Sequence, residues 1–247
     1  MLELQIEQPH EHVRLLRMSR AEKRNALSLR MIGAIKDQVR LAEQEGVRAL
    51  VIASEGEVFS AGADFSDLKG DLSDLNFDAQ MFALTHAIRE SNLITFAAIQ
   101  GGCIGAGLDL AIACDFRVAT SNAFFALPAI QMGILYNPDS LSLMLSSISP
   151  AIAKRLLLLA EKIGRDEAHA AGIVTHCVQE DDEVSAASLS IALAIQSASL
   201  PFQAQATTKA FVQAVQRGDL QQHDWQSKRE ALLMSHDRQA ALMGKRK

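Results

Sequence analysis

Ala49-Leu50-Val51-Ile52-Ala53 is apolar at every position. A strand with one face in water alternates polar and apolar residues. A short strand that is apolar throughout must be covered on both faces, as in a parallel sheet flanked by helices. The same kind of run returns at residues 95–99, and helical periodicity separates the two. Strand and helix therefore alternate, which predicts a parallel or mixed sheet with crossover helices.

The neighbouring segments fit this frame. Residues 2–7 alternate strictly and predict a half-exposed strand, with residues 12–18 as its hairpin partner. From Ser28 a helix is predicted. Leu27, Met31, Ile35, Val39 and Ala42 share one face, Arg30, Lys36, Asp37, Arg40 and Glu43 the other, and Gly46 ends it. Further helices are expected at 79–90 and 105–113, and a strand at 116–119. The Asp-rich stretch 64–78 reads as a mobile loop or lid. Asn137-Pro138 has the chemistry of a helix start, Asn as cap and Pro in the first turn. Helical patterns follow at 151–161, 183–199, 201–216 and 220–243, interrupted by one short strand at 175–179. The chain divides into an α/β core over 1–190 and a helical region over 191–247.

Composition excludes several function classes. The 247 residues are 49% hydrophobic and 21% charged, enough for a substantial core and too apolar for disorder. The net charge is −5 and no Lys/Arg run stands out, so no nucleic-acid partner is expected. A basic helix face for RNA is absent from 28–45, where Glu43 and Glu45 stand beside Arg40. Cys103, Cys114 and Cys177 have neither CxxC nor His-ligand spacing, so reduced thiols are expected, with no metal site. Glu3 and Glu7 interrupt the N-terminus where a signal peptide would be apolar. The most apolar stretch, 95–114, is broken by Gln100, glycines and Asp109, so it reads as core and no membrane partner is expected. A cytoplasmic location is the expectation.

Two stretches of small residues stand out. Phe59-Ser60-Ala61-Gly62-Ala63-Asp64-Phe65 follows one apolar strand, its phenylalanines placed to anchor the loop. Gly101-Gly102-Cys103-Ile104-Gly105-Ala106-Gly107-Leu108-Asp109 follows another and opens a helix. Small side chains leave backbone N–H groups bare. The first N–H groups of a helix lack internal partners and carry partial positive charge. Ala63 and Ala106 can thus supply two donors converging on one developing carbonyl anion, an oxyanion hole. The plainer reading is tight strand–helix packing. A dinucleotide fingerprint fails, because Gly105 and Gly107 would need a small residue at Leu110.

The ordered set of motifs resembles the enoyl-CoA hydratase/isomerase (crotonase) superfamily. The matching pieces are Arg24-Asn25-Ala26-Leu27-Ser28, the two small-residue stretches continued to Asp115, and Phe124-Phe125-Ala126-Leu127-Pro128-Ala129. They continue through Gly172-Ile173-Val174 to the C-terminus. The resemblance implies a spiral of ββα units with a C-terminal helical trimerisation region, assembled as a homotrimer or dimer of trimers. It implies an acyl-CoA thioester as substrate, with no further cofactor. Carried over residue by residue, Ala63 and Ala106 are the oxyanion donors. Lys23, Arg24, Ala26, Ala61, Asp64 and Phe65 lie along the CoA.

Family hydratases use two glutamates. The first falls at Asp109, three residues after Ala106 and so on the same side of the helix. A helix N-terminus favours its ionised form; a capping or salt-bridge role is the plainer reading. The second falls at Ala129, which moves no proton. Tyr136, the only tyrosine, stands in Gly133-Ile134-Leu135-Tyr136-Asn137, similar to the methylmalonyl-CoA decarboxylase branch. A decarboxylase-like enzyme using Tyr136, or an inactive acyl-CoA binder, are the alternatives to hydration or isomerisation. Asp139 is a further acid in the first turn after Asn137. His86, His169, His176 and His236 fall outside these motifs.

Overall fold

The computed structural model describes residues 3–179, 184–219 and 225–245. Strands β1 (Leu4–His10) and β2 (Val13–Met18) form an antiparallel hairpin. Parallel strands β3 (Ala49–Ser54) and β4 (Ile94–Ile99) continue the sheet from β2, each reached through a helix: α1 (Leu29–Gln44) or α2 (Leu75–Glu90). After β5 (Gly102–Ile104) and α3 (Ala106–Ala113) come β6 (Phe116–Ala119) and β7 (Phe124–Ala126). Then follow α4 (Pro138–Ser147), α5 (Pro150–Leu158), β8 (Ile163–Gly164), α6 (Arg165–Ala170) and β9 (His176–Cys177). Helices α7 (Ala186–Ala198), α8 (Phe202–Arg217), α9 (Trp225–Leu233) and α10 (His236–Lys245) complete it. Among the described residues the large sheet has the order β1-β2-β3-β4-β6-β9, and β5-β7-β8 form a second, small sheet.

The apolar strands are covered on both faces, as their sequence demands. Leu50, Ile52, Ala97 and Ile99 pack with Met31, Ile35 and Val39 of α1 and Leu84 and Ile88 of α2. Their alternate neighbours Ala49, Val51, Phe96 and Ala98 pack with Ala186, Ala194 and Ala198 of α7. The period of two in a strand sorts the side chains between the two layers. Helix α7 runs across residue 190 and supplies the second cover. Ser28 caps α1, its hydroxyl accepting from the Met31 N–H at 3.1 Å. Asn137 caps α4 through the Asp139 and Ser140 N–H groups.

Some segments differ from expectation. Along β1 only Leu4 is buried, and Ile6 is 52% exposed, so the strand lies along the sheet edge with little cover. The Asp-rich stretch 64–78 is built of capped turns up to Asp74 and of the first turn of α2 beyond it. Asp64 caps the 3-10 turn Phe65–Asp67, Asp71 caps Leu72–Asp74, and the Asp74 carboxylate accepts from the N–H groups of Lys69 and Gly70. Short carboxylates bonding backbone two residues on make such turns. Helix α2 begins at Leu75, four residues before the expected start. The small sheet was not anticipated, because strands of two or three residues show no period. Helix α6 was not anticipated either. The helix expected over 220–243 is broken: α10 restarts at His236, with the Ser235 hydroxyl accepting from the Arg238 N–H. Residues 220–224 of that expectation lie outside the described residues. No helix among the described residues is long and apolar enough to cross a membrane.

Candidate active site

The loops after β3 and β4 are joined backbone to backbone. Phe59 N–H donates to Gln100, Ser60 N–H donates to Gly102 at 3.1 Å, and Ile104 N–H donates back to Ser60 at 3.0 Å. Small residues permit this approach. A Cβ on Gly107 would lie 2.6 Å from Cβ of Ser60. Gly62 has φ +97°, and a Cβ there would meet the Ile104 carbonyl oxygen at 3.0 Å and the Ala106 nitrogen at 3.6 Å. The backbone before Ala63 therefore runs close to the nitrogen of Ala106, with room for no more than a glycine between them. Packing and a donor pair are one arrangement here.

Both donors are free. Leu27 N–H donates to Gly62 and Asp64 N–H to Leu27, an arrangement that leaves the Ala63 N–H outside the bridge. Ala106 is the first residue of α3, behind Gly105 at φ 54°, and its N–H has no intrahelical partner. Neither group donates a hydrogen bond to another described residue. Two unsatisfied N–H groups at the mouth of adjoining loops, one at a helix N-terminus, are suited to hold an oxyanion.

A buried clamp supports this edge. Asn25, with φ 52°, donates its amide to the carbonyls of Glu55 and Val58, each at 2.8 Å, and accepts from Arg20 N–H. The motif was visible in the sequence; the clamp was not, because its partners are some thirty residues away. Ala61 N–H donates to the Arg24 carbonyl, which brings Lys23 and Arg24 beside the loop. Both side chains are exposed, and neither forms an ion pair with a described residue. Ala26 is buried, its carbonyl accepting from Arg20. The Asp64 carboxylate is committed to Ser66 and to Arg20, the latter at 2.7 Å. The Ser66 N–H and hydroxyl, then Arg20, lower its pKa to about 2 against the penalty of burial. Phe59 is fully buried and anchors the loop, whereas Phe65, expected to do the same, is 66% exposed.

Asp109 lies on α3 and is 7% exposed. Burial raises its pKa to about 7, so the expected ionised carboxylate is corrected: desolvation outweighs the helix N-terminus. The Ser140 hydroxyl donates to Asp109 Oδ2 at 3.1 Å. Ser140 was missed in the sequence; its position in the first turn of the Asn137-capped helix was the available signal. The Tyr136 hydroxyl is buried beside Asp109 without a hydrogen bond of good geometry, and burial pushes its pKa well up. The Asp109 carboxyl adds to that rise, and the Tyr136 hydroxyl in turn lowers the Asp109 pKa against the penalty of burial. Asp78 on α2 adds negative charge to both. Ala129 is buried and offers no proton. Asp139 points to solvent, its N–H spent on the Asn137 cap. His86 stacks on Phe82, His169 contacts the Val174 carbonyl, and His176 lies against Phe116, all away from Asp109.

Comparison with known proteins identifies the family. The chain is 34% identical over 153 residues to a Mycobacterium bovis protein named "Probable enoyl-CoA hydratase echA6", covering 62% of each chain. It is 31% identical over 186 residues to the rat mitochondrial methylglutaconyl-CoA hydratase, covering 74% of this chain and 59% of the relative. These matches span less than two thirds of the relatives' own length. The structure of an enoyl-CoA hydratase from Thermoplasma volcanium superposes with a TM-score of 0.84 at 27% identity, covering 100% of this chain and 98% of the other. The α/β architecture with its C-terminal helices is shared with that structure. The profile described as enoyl-CoA hydratase/isomerase matches residues 8–246. With fold and profile in agreement over almost its whole length, the chain belongs to the enoyl-CoA hydratase/isomerase (crotonase) family.

Proposed function

We propose that the protein is an acyl-CoA enzyme that hydrates or shifts a double bond next to a thioester, through an enolate held by the Ala63 and Ala106 N–H groups. The single observation that carries this is the pair of unpartnered donors on touching loops. The thioester oxygen accepts from both. An oxyanion donor of this kind is worth ~10²–10³ in rate. Asp109 lies on the helix that Ala106 opens and titrates near neutrality, so it can take a proton in one step and return it in the next. The CoA nucleotide lies over Ala61, Ala63 and Asp64, with Phe65 as an exposed flat face and Ala26 beneath. Lys23 and Arg24 meet the phosphates. The assembly is a homotrimer or dimer of trimers, consistent with exposed Met234 and Met243 on the C-terminal helices.

One observation favours the second reading, decarboxylation. The buried Tyr136 hydroxyl is unsatisfied and could protonate an enolate at carbon. Against it, no basic side chain among the described residues acts on Asp109 or Tyr136, so a malonyl-type carboxylate would gain no cation from the groups that do. The experiment is turnover of crotonyl-CoA, followed by loss of enoyl-thioester absorbance, beside carbon dioxide release from methylmalonyl-CoA. Hydration supports the first reading. Decarboxylation alone replaces it with the second, and CoA-ester binding without turnover of either leaves a binder.

A further inference from the structure

Addition of water across a double bond takes a proton from water and gives one to carbon. Ala129 can do neither, so both halves fall to Asp109, and the aim of its carboxyl matters. We propose that Ser140, in the first turn of α4, is the positioning residue of this site: its hydroxyl holds one oxygen of Asp109 and leaves the other to carry the proton. This inference rests on the enolate reading above.

Ser140 Oγ lies 3.1 Å from Asp109 Oδ2, where α4 packs on α3. Among the described residues no hydrogen bond of good geometry reaches Oδ1. The two oxygens are thereby made unequal. Asp109 is buried and Ser140 half-buried, so little water competes for the bond.

The donor is itself fixed. Asn137 Oδ1 accepts from the N–H groups of Asp139 at 2.9 Å and Ser140 at 3.3 Å, and Pro138 sets the first turn. A serine within a helix commonly donates back to a carbonyl about one turn earlier. Ser146 and Ser147 of the same helix do so, both to the Leu143 carbonyl, at 2.8 and 2.7 Å. Ser140 donates instead to a carboxyl 31 residues away. Tyr136, just before the cap, buries its hydroxyl beside the same carboxyl. One helix start thus brings two hydroxyls to Asp109.

The titratable groups around Asp109 are Tyr136 before α4, Asp78 on α2 and the Cys103 thiol on β5; no basic side chain among the described residues acts on it. Burial raises its pKa to about 7, and the Tyr136 and Ser140 hydroxyls each lower it. Ser140 therefore favours the carboxylate, the form that begins the cycle.

The step balances with one carboxyl. As the water oxygen bonds to C3, its proton passes to Oδ1 of the Asp109 carboxylate. The C2=C3 pair shifts toward C1, and the carbonyl pair moves onto the thioester oxygen held by Ala63 and Ala106. As the enolate collapses, C2 takes the proton back from Oδ1, and Asp109 is again a carboxylate. The net reaction is enoyl thioester plus water to 3-hydroxyacyl thioester.

The test compares Ser140→Ala with Ser140→Thr. In Ser140→Ala, kcat for crotonyl-CoA should fall about 10²-fold with KM little changed, the size of effect expected when a reacting group loses its aim. The acid limb of the kcat/KM profile should move to higher pH by about one unit, because the carboxylate loses a hydrogen bond. Ser140→Thr keeps the hydroxyl and should recover both. Ser140→Cys, similar in size but a weak donor, carries the same test if the alanine variant does not fold. Carbon-13 NMR of the Asp109 carboxyl reads the bond without substrate, and its midpoint should rise with the limb. An unmoved limb and midpoint, whatever the change in kcat, would mark Ser140 as merely structural; that result overturns the proposal and leaves the enolate reading intact. If the wild type neither hydrates crotonyl-CoA nor exchanges the C2 protons of butyryl-CoA with deuterated solvent, the enolate reading fails and the role of Ser140 falls with it.

Discussion

Replacing Ala106 by proline isolates the oxyanion donor from the fold. Ala106 is the first residue of α3, where proline is tolerated because its φ suits the helix and its missing N–H would have had no intrahelical partner. The residue before it is Gly105, which lacks the Cβ that a following proline ring crowds. No described hydrogen bond is lost, because the Ala106 N–H makes none within the protein. The stability change should stay within about 1 kcal/mol, the size of a compatible proline substitution. The loss in the transition state is the loss of one of two donors, ~3 kcal/mol, or 10²–10³ in kcat. The assay pairs thermal unfolding with hydration of crotonyl-CoA, and Ala106→Gly, which keeps the N–H, is the control. A folded Ala106→Pro protein with wild-type kcat would refute the placement of the oxyanion at this nitrogen.

Three further outcomes are expected. The folded pKa of Asp109 is raised to about 7 from an ordinary 3.8, so the unfolded chain releases this proton first and stability falls as pH rises from about 4 to 7. Asp109→Asn should therefore unfold at higher temperature than the wild type above pH 7, match it near pH 4, and have lost activity; equal melting temperatures at pH 8 would contradict the buried carboxyl. Asp64 shows the opposite sign: its pKa is lowered from 3.8 to about 2, so its contribution is present above pH 4 and lost as pH falls toward 2. That contribution is about 2 kcal/mol, and urea unfolding of Asp64→Asn should show its deficit at pH 6 shrinking on acidification. Removing Lys23 and Arg24 together should raise KM for CoA esters, more at low salt, with kcat kept; an unchanged KM would remove them from the nucleotide site.

Much of the scaffold was legible along the chain because its signals are local. A fully apolar strand, a serine or asparagine before a helical period, and a glycine after it each act within a few residues. The segment 64–78 shows the limit. Its aspartates were read as the composition of a loop, yet Asp64, Asp71 and Asp74 each organise a turn by bonding backbone N–H groups. The small sheet of β5, β7 and β8 was hidden because pairing between such short strands is set by contacts, not by period.

The sequence by itself determined the layered α/β core, the helix starts at Ser28 and Asn137, and the two runs of small residues that let backbone meet backbone. These follow from steric size and from periodicity, which depend on neighbours in the chain. Only the tertiary structure decided that Asp109 is largely dehydrated and titrates near 7, that Ser140 holds it, and that the Tyr136 hydroxyl is buried beside it. A carboxyl's proton affinity depends on the solvent and charge around it. In this protein those surroundings come from α2, α3 and α4, separate stretches of chain that meet only when the fold is complete.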